Sequence, residues 1–159
     1  MRFEDQSLGD DLNTYSLDGV RDAFDQEKIV LIGGGTGEDN VTTDNAVMSY
    51  AIAHRDSAPE DEVLVLKGTK FDGVYDKDPA QFANAKRISR ISAQHMLGHI
   101  DNFRVVDESC LEQIAASGLG MRIYRDGQHD LTTVLERHNK SSRTIGTLIV
   151  SDSDLKPQF

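Results

Sequence analysis

Hydrophobic positions fall along this chain in two alternating rhythms. Short continuous apolar runs stand at residues 29–32 (IVLI), 63–66 (VLVL) and 146–150 (GTLIV). Runs of this length, closed by glycine or charge, fit strands buried on both faces of a parallel sheet. Between them lie stripes at helical spacing. Leu17, Val20, Ala23 and Phe24 follow Ser16; Ala46, Val47, Tyr50 and Ala51 follow Thr42 and Thr43; Leu111, Ile114 and Ala115 follow Asp107. In each case a residue whose side-chain oxygen can accept a first-turn N–H stands just ahead of the stripe. The pattern predicts strands at 28–32, 62–67, 87–91, 121–124 and 146–150, an extended piece at 103–106, and helices at 17–26, from Thr43 onward, at 92–97, at 107–117 and from Asp130 or Thr132 to Arg137. Gly118 and Gly120 end the helix that Asp107 caps. Strands alternating with helices predict an α/β fold of three layers, α/β/α, around a mainly parallel sheet. One domain over residues 1–159 is expected, with 152–159 as a flexible tail.

Composition narrows the partners. The chain has 159 residues, 27 acidic against 17 basic, and a net charge of −10. A basic face for nucleic acid is therefore not expected. No run approaches the ~20 apolar residues of a membrane helix, and the acidic start MRFEDQSLGDDLN lacks the apolar centre of a secretory signal. Cys110 is the one cysteine, so no internal disulfide can form, which fits a reducing, cytoplasmic setting. It sits within an amphipathic stripe and reads as a buried residue rather than a nucleophile.

The strongest chemical signal follows the first apolar run. Gly33, Gly34, Gly35, Thr36 and Gly37 form a glycine loop, which continues through Glu38, Asp39, Asn40 and Val41 to the helix start at Thr42, Thr43 and Asp44. Backbone can approach an anion closely where Cβ atoms are absent. The unpaired N–H groups of a helix start then hold negative charge. Neither a P-loop nor a G-x-G-x-x-G pattern is present, because Glu38 follows Gly37. The bland alternative is a turn closed by an ordinary cap. The hydroxyls of Thr36, Thr42 and Thr43 could donate to phosphate oxygens.

A second loop, residues 68–79 (GTKFDGVYDKDP), follows the second apolar run. Asp72, Asp76 and Asp78 with Tyr75 could meet a ribose, Mg²⁺ or a base edge, or form a solvated acidic turn. Lys67 and Lys70 bracket the strand end and could neutralise a transferring phosphoryl group, or be exposed. His95 and His99 stand four apart on a predicted helix without an evident third metal ligand, and no G-x-S-x-G motif for a serine hydrolase occurs.

These segments together resemble the uridylate (UMP) kinase branch of the amino acid kinase family. GGTG at 34–37 with TTD at 42–44 resembles that branch's GGTGNPFFTTDTAA. LKGTKFDGVYDKDP at 66–79 resembles LKATKVDGVYDADP. VVD at 105–107, MRIY at 121–124 and GTLI at 146–149 match later segments. The resemblance covers about residues 16–151 and corresponds to the C-terminal part of the fold only. It implies phosphoryl transfer from ATP to UMP with Mg²⁺. It places Thr36, Gly37, Glu38, Asp39, Asn40, Val41, Thr42 and Thr43 around UMP, and Thr69, Tyr75 and Asp78 around ATP. Lys67 and Lys70 are the candidate catalytic residues, and Gly33, Gly34 and Gly35 the phosphate loop. It also implies a homo-oligomer, a hexamer in the family. Glu38-Asp39-Asn40-Val41 replaces the branch's Asn-Pro-Phe-Phe. The branch's N-terminal phosphate loops have no counterpart, so little kinase activity is expected of this chain alone. Other amino acid kinases are the runner-up enzymes, and a non-catalytic nucleotide-binding module or regulatory half-fold is the alternative to an enzyme.

Overall fold

The computed structural model describes residues 15–33, 41–136 and 145–155. Helix α1 is Leu17–Asp25, capped by Ser16, whose hydroxyl accepts the Gly19 N–H at 3.1 Å. Helix α2 is Thr43–Ser57, capped by Thr42. Strand β1 (Val65–Thr69) follows, then the short strands β2 (Val74–Tyr75), β3 (Arg87–Ile88) and β4 (Arg90–Ser92). Ser92 caps α3 (Ala93–Leu97), and Asp107 caps α4 (Glu108–Ser117). Gly118 ends α4 at φ 72°, the left-handed conformation that glycine adopts without strain. Strand β5 (Met121–Arg125), helix α5 (Leu131–Glu136) and strand β6 (Thr147–Val150) complete the order.

The main sheet runs β1-β5-β6-β4. β1 pairs with β5 and β4 with β6 in parallel, while β5 and β6 are antiparallel, so the α/β, mainly parallel architecture holds. Met48 of α2, Met96 of α3 and Cys110, Leu111 and Ile114 of α4 are buried with Val65, Met121, Ile123 and Ile149 of the sheet. This continuous core explains the α4 stripe read from sequence, whose Leu111 and Ile114 are buried against the sheet, whereas the α1 stripe buries no residue and Val47 of the α2 stripe is exposed.

Several expectations differ from the structure. The apolar run at 28–32 forms no strand; Ile29 and Leu31 are each 92% exposed. A β-pattern states what residues would bury, whereas a strand exists only through its ladder. The run expected at 87–91 breaks at Ser89 and serves two sheets. Arg87–Ile88 pairs antiparallel with β2, and Arg90–Ser92 lies parallel to β6. Residues 103–106 turn instead of extending, with Phe103 and Val106 buried in the core. Of the stretch expected as a tail, Asp152–Asp154 form a 3-10 turn, and the Asp152 N–H donates to Gln94 Oε1 at 2.9 Å.

One buried residue escaped the sequence reading. Arg122 of β5 is 1% exposed, and its guanidinium donates to the Ile145 carbonyl at 2.8 Å. Burial holds its pKa below the usual arginine range, and the nearby charges of Arg90 and Arg87 add to that.

Candidate functional site

The parallel arrangement brings two helix starts to the C-terminal end of β1. Thr42 accepts the Asn45 N–H at 3.2 Å and donates its hydroxyl to Asp107. Asp107 in turn accepts the Cys110 N–H at 2.9 Å and the Ser109 hydroxyl at 2.7 Å. The cap of α2 thus bonds the cap of α4 across 65 residues of sequence. Further along, Asn45 donates to Ser109 at 2.9 Å, Gln113 to Ser49 at 3.0 Å, and Arg55 to the Ser117 carbonyl at 2.9 Å. These contacts advance together along both helices, so α2 and α4 run side by side in one direction.

Lys67 lies at the foot of this pair. Its ammonium forms an ion pair with Asp44, in the first turn of α2, and donates to the Val105 carbonyl at 2.8 Å. Both side chains are largely buried, at 24% and 17% exposure. Thr42, Thr43, Asp44, Lys67, Arg104 and Asp107 border an open cavity of about 430 Å³. A larger hollow of about 620 Å³ lies elsewhere, beside Arg90, Ser92 and His95 on β4 and α3. Apart from His95 it brings together none of the sequence-predicted site residues, so the smaller cavity is the chemically informative one.

Electrostatics at the site follow from these contacts. Burial works to raise the Asp107 pKa, but hydrogen bonds from Thr42, Ser109 and the Cys110 N–H outweigh it and hold the carboxyl below its ordinary value. A depressed carboxylate pKa stabilises the fold above the unfolded value, and that contribution is lost as pH falls through the folded one. Asp107→Asn keeps a cap and removes the charge. The stability gap between wild type and this variant, read from thermal melts, is therefore expected to be full at neutral pH and to close below about pH 4. A gap independent of pH would show that the carboxylate is not what these bonds hold. Cys110 is fully buried, and burial, with the charges of Asp107 and Asp44, pushes its thiol up to about 12 despite the opposing Lys67. It is not a nucleophile at neutral pH.

The second loop leaves the same end of β1. Thr69 donates its hydroxyl to the Phe71 carbonyl at 2.7 Å, folding the chain back. Asp72 pairs with Arg87 at 3.3 Å, and Tyr75 lies opposite Arg87 in the β2–β3 ladder. Asp78 accepts the Ala80 N–H and the Gln81 side-chain amide, both at 2.8 Å. Lys70 is exposed outside the cavity that Lys67 borders. His95 and His99 stack with ring centroids 4.6 Å apart, and a His99 ring nitrogen bonds the His95 carbonyl at 3.0 Å. Gly33 is exposed, whereas Gly34, Gly35, Thr36, Gly37, Glu38, Asp39 and Asn40 lie outside the described residues. The structure therefore brings Lys67 together with Thr42 and Thr43, and places Thr69, Tyr75 and Asp78 in the neighbouring loop. Sequence reasoning missed that Asp44 partners Lys67. The available signal was a lysine closing an apolar strand and an acid opening the preceding helix.

A mainly parallel sheet with paired helix starts and a lysine at a strand's C-terminal end defines an α/β protein of the kind that binds ligands outside its strand ends. The chain belongs to the amino acid kinase family, whose model matches residues 5–125. Among its relatives, the uridylate kinase of Wolinella succinogenes is 34% identical over 88 residues, covering 55% of this chain and 33% of that protein. The uridylate kinase of Actinobacillus pleuropneumoniae is 28% identical over 122 residues, covering 71% and 48%. The solved UMP kinase of Bacillus anthracis superposes with a TM-score of 0.73 at 22% identity, over 87% of this chain and 52% of that one. The chain thus spans a third to a half of these proteins' length. No helix among the described residues is long and apolar enough to cross a membrane.

Proposed function

We propose that this chain is the nucleotide-handling portion of a UMP kinase-type phosphotransferase, acting in ATP + UMP → ADP + UDP. One observation carries the reading: Thr42, Thr43, Asp44, Lys67 and Asp107 meet in one cavity at the end of β1, with the Thr69–Asp78 loop leaving the same strand end. UMP lies against residues 36–43, with the Thr42 and Thr43 hydroxyls and the α2 N-terminus toward its phosphate. ATP lies along the second loop, held through Thr69, Tyr75 and Asp78, and Lys67 or Lys70 faces the transferring group. In phosphoryl transfer a protein mainly positions the reactants and offsets their charge, so these groups need no nucleophile among them.

Among the described residues, no three histidine, cysteine or acidic side chains cluster to hold a metal. Mg²⁺ bound mostly through nucleotide phosphates needs only one or two carboxylates, and Asp44 borders the cavity. Mg²⁺ bound there would offset phosphate charge. A homo-oligomer in the cytoplasm completes this reading.

Calorimetric titration with ATP and UMP in the presence of Mg²⁺ tests the proposal; binding of neither would sink it. Asp78→Ala releases the two bonds that the Asp78 carboxylate makes within the second loop and is expected to weaken ATP binding about tenfold while leaving UMP affinity unchanged. Equal loss for both nucleotides would remove ATP from this loop.

The second reading is a nucleotide-binding module without turnover. The span of a third to a half of the relatives' length favours it, as does the engagement of Lys67 by Asp44 and Val105. A coupled assay separates the two, since UDP formation at an ordinary kinase rate excludes the module.

A further inference from the structure

Among the described residues the sheet ends in two edge strands, β1 and β4. β1 ends the strand order and meets β5 on one flank only, with no strand on its other flank among the described residues. The exposed run at 28–32 belongs to that flank by handedness. It leads through α2 into β1, and a strand–helix–strand crossover is right-handed in nearly all proteins. Because β5 occupies the far flank of β1, a strand at 28–32 falls on the open one. Ile29 and Leu31 are each 92% exposed, Ile32 is 43% exposed, and α1, just before them, has no buried residue. An unpaired strand edge beside bare branched aliphatic residues is a surface that folded proteins ordinarily cover.

We infer that this flank docks a stretch of polypeptide that adds β-strands to β1 and to 28–32, equivalent to the portion of the UMP kinase fold that this chain does not span. The solved relatives point to that occupant. The Bacillus anthracis enzyme shares the fold over 87% of this chain, yet this chain accounts for only 52% of it; for the Ureaplasma parvum enzyme the shares are 88% and 55%. A second copy is a poorer fit. It repeats the portion of the fold already present and supplies none of the unmatched one. The inference rests on family membership and fold, not on the nucleotide reading, and its test needs no nucleotide.

The test is hydrogen exchange followed by mass spectrometry on the full chain. The chain is measured alone and mixed with a recombinant polypeptide comprising the unmatched portion of the Bacillus anthracis or Ureaplasma parvum enzyme. Alone, amides 29–32 should exchange at close to the free-chain rate; with at least one of the two polypeptides they should slow about tenfold or more. The double variant Ile29→Asp, Leu31→Asp should abolish that slowing while its own melting temperature stays that of wild type. No slowing with either polypeptide overturns the inference, as does slow exchange in the dilute chain alone. Protection that grows with the chain's own concentration, together with a doubled mass by light scattering, assigns the flank to a second copy and overturns it equally.

Discussion

Gly146→Ala is expected to destabilise the fold by about 3 kcal/mol or more, lowering the melting temperature by about 6–12 °C. Gly146 stands at φ 67°, where a Cβ is disfavoured on backbone grounds alone. Steric overlap costs more. A Cβ there would overlap the Ile123 carbonyl oxygen and lie 2.9 Å from its carbon and 3.1 Å from the Tyr124 Cα. These are backbone atoms of β5, fixed on both flanks by β1 and β6, so they cannot yield cheaply. Gly118→Ala is the matched control. Its φ is 72°, but nothing lies within 4 Å of the added carbon, so it should lose only the conformational part, about 1 kcal/mol. Urea and thermal unfolding of both variants checks the contrast. Equal losses would mean that the chain before β6 does not press on β5 as described.

Lys67→Met is expected to cost about 2 kcal/mol, because it leaves the largely buried Asp44 carboxylate without its countercharge and the Val105 carbonyl without a donor. Lys67→Met with Asp44→Asn should recover about half of that loss, since the second change removes the stranded charge. A double-mutant cycle in urea measures the coupling. Strict additivity would show that the two groups do not interact in solution. The same pair bears on nucleotide binding. For its ammonium to reach a phosphate, Lys67 must loosen its hold on Asp44, so Asp44→Asn should raise the affinity for anionic nucleotide measured without Mg²⁺, where Asp44 has no metal to hold.

What was legible in the sequence was local. Ser16, Thr42, Ser92 and Asp107 each cap a helix by accepting an N–H three residues on, a bond written within four letters of sequence. Gly118 ends α4 by its own conformation. The glycine-to-Thr42 stretch and the Thr69–Asp78 loop were legible as candidate sites because each follows an apolar run. What was not legible was long-range. Nothing near Thr42 announces Asp107, and the strand-end lysine and helix-start acid at Lys67 and Asp44, 23 residues apart, pair only because the fold brings the α2 start to β1. The run at 28–32 shows the same limit from the other side, since its residues are those of a strand while its ladder depends on chain elsewhere. The break at Ser89 was hidden because Arg87–Ile88 and Arg90–Ser92 read as one strand until each finds a different partner.

The polar seam between α2 and α4 has a mechanical meaning. Contacts at Thr42–Asp107, Asn45–Ser109, Ser49–Gln113 and Arg55–Ser117 bind the two helices at roughly one-turn intervals, which resists sliding of one past the other. The pair therefore forms a single stiff beam with the cavity at its N-terminal end. α2 alone has 15 residues, giving a lever of about 22 Å. A tilt of about 5° at the cavity displaces the far end by about 2 Å. A rigid tilt of the pair at the cavity mouth would therefore be read at the surface around Ser57 and Ser117.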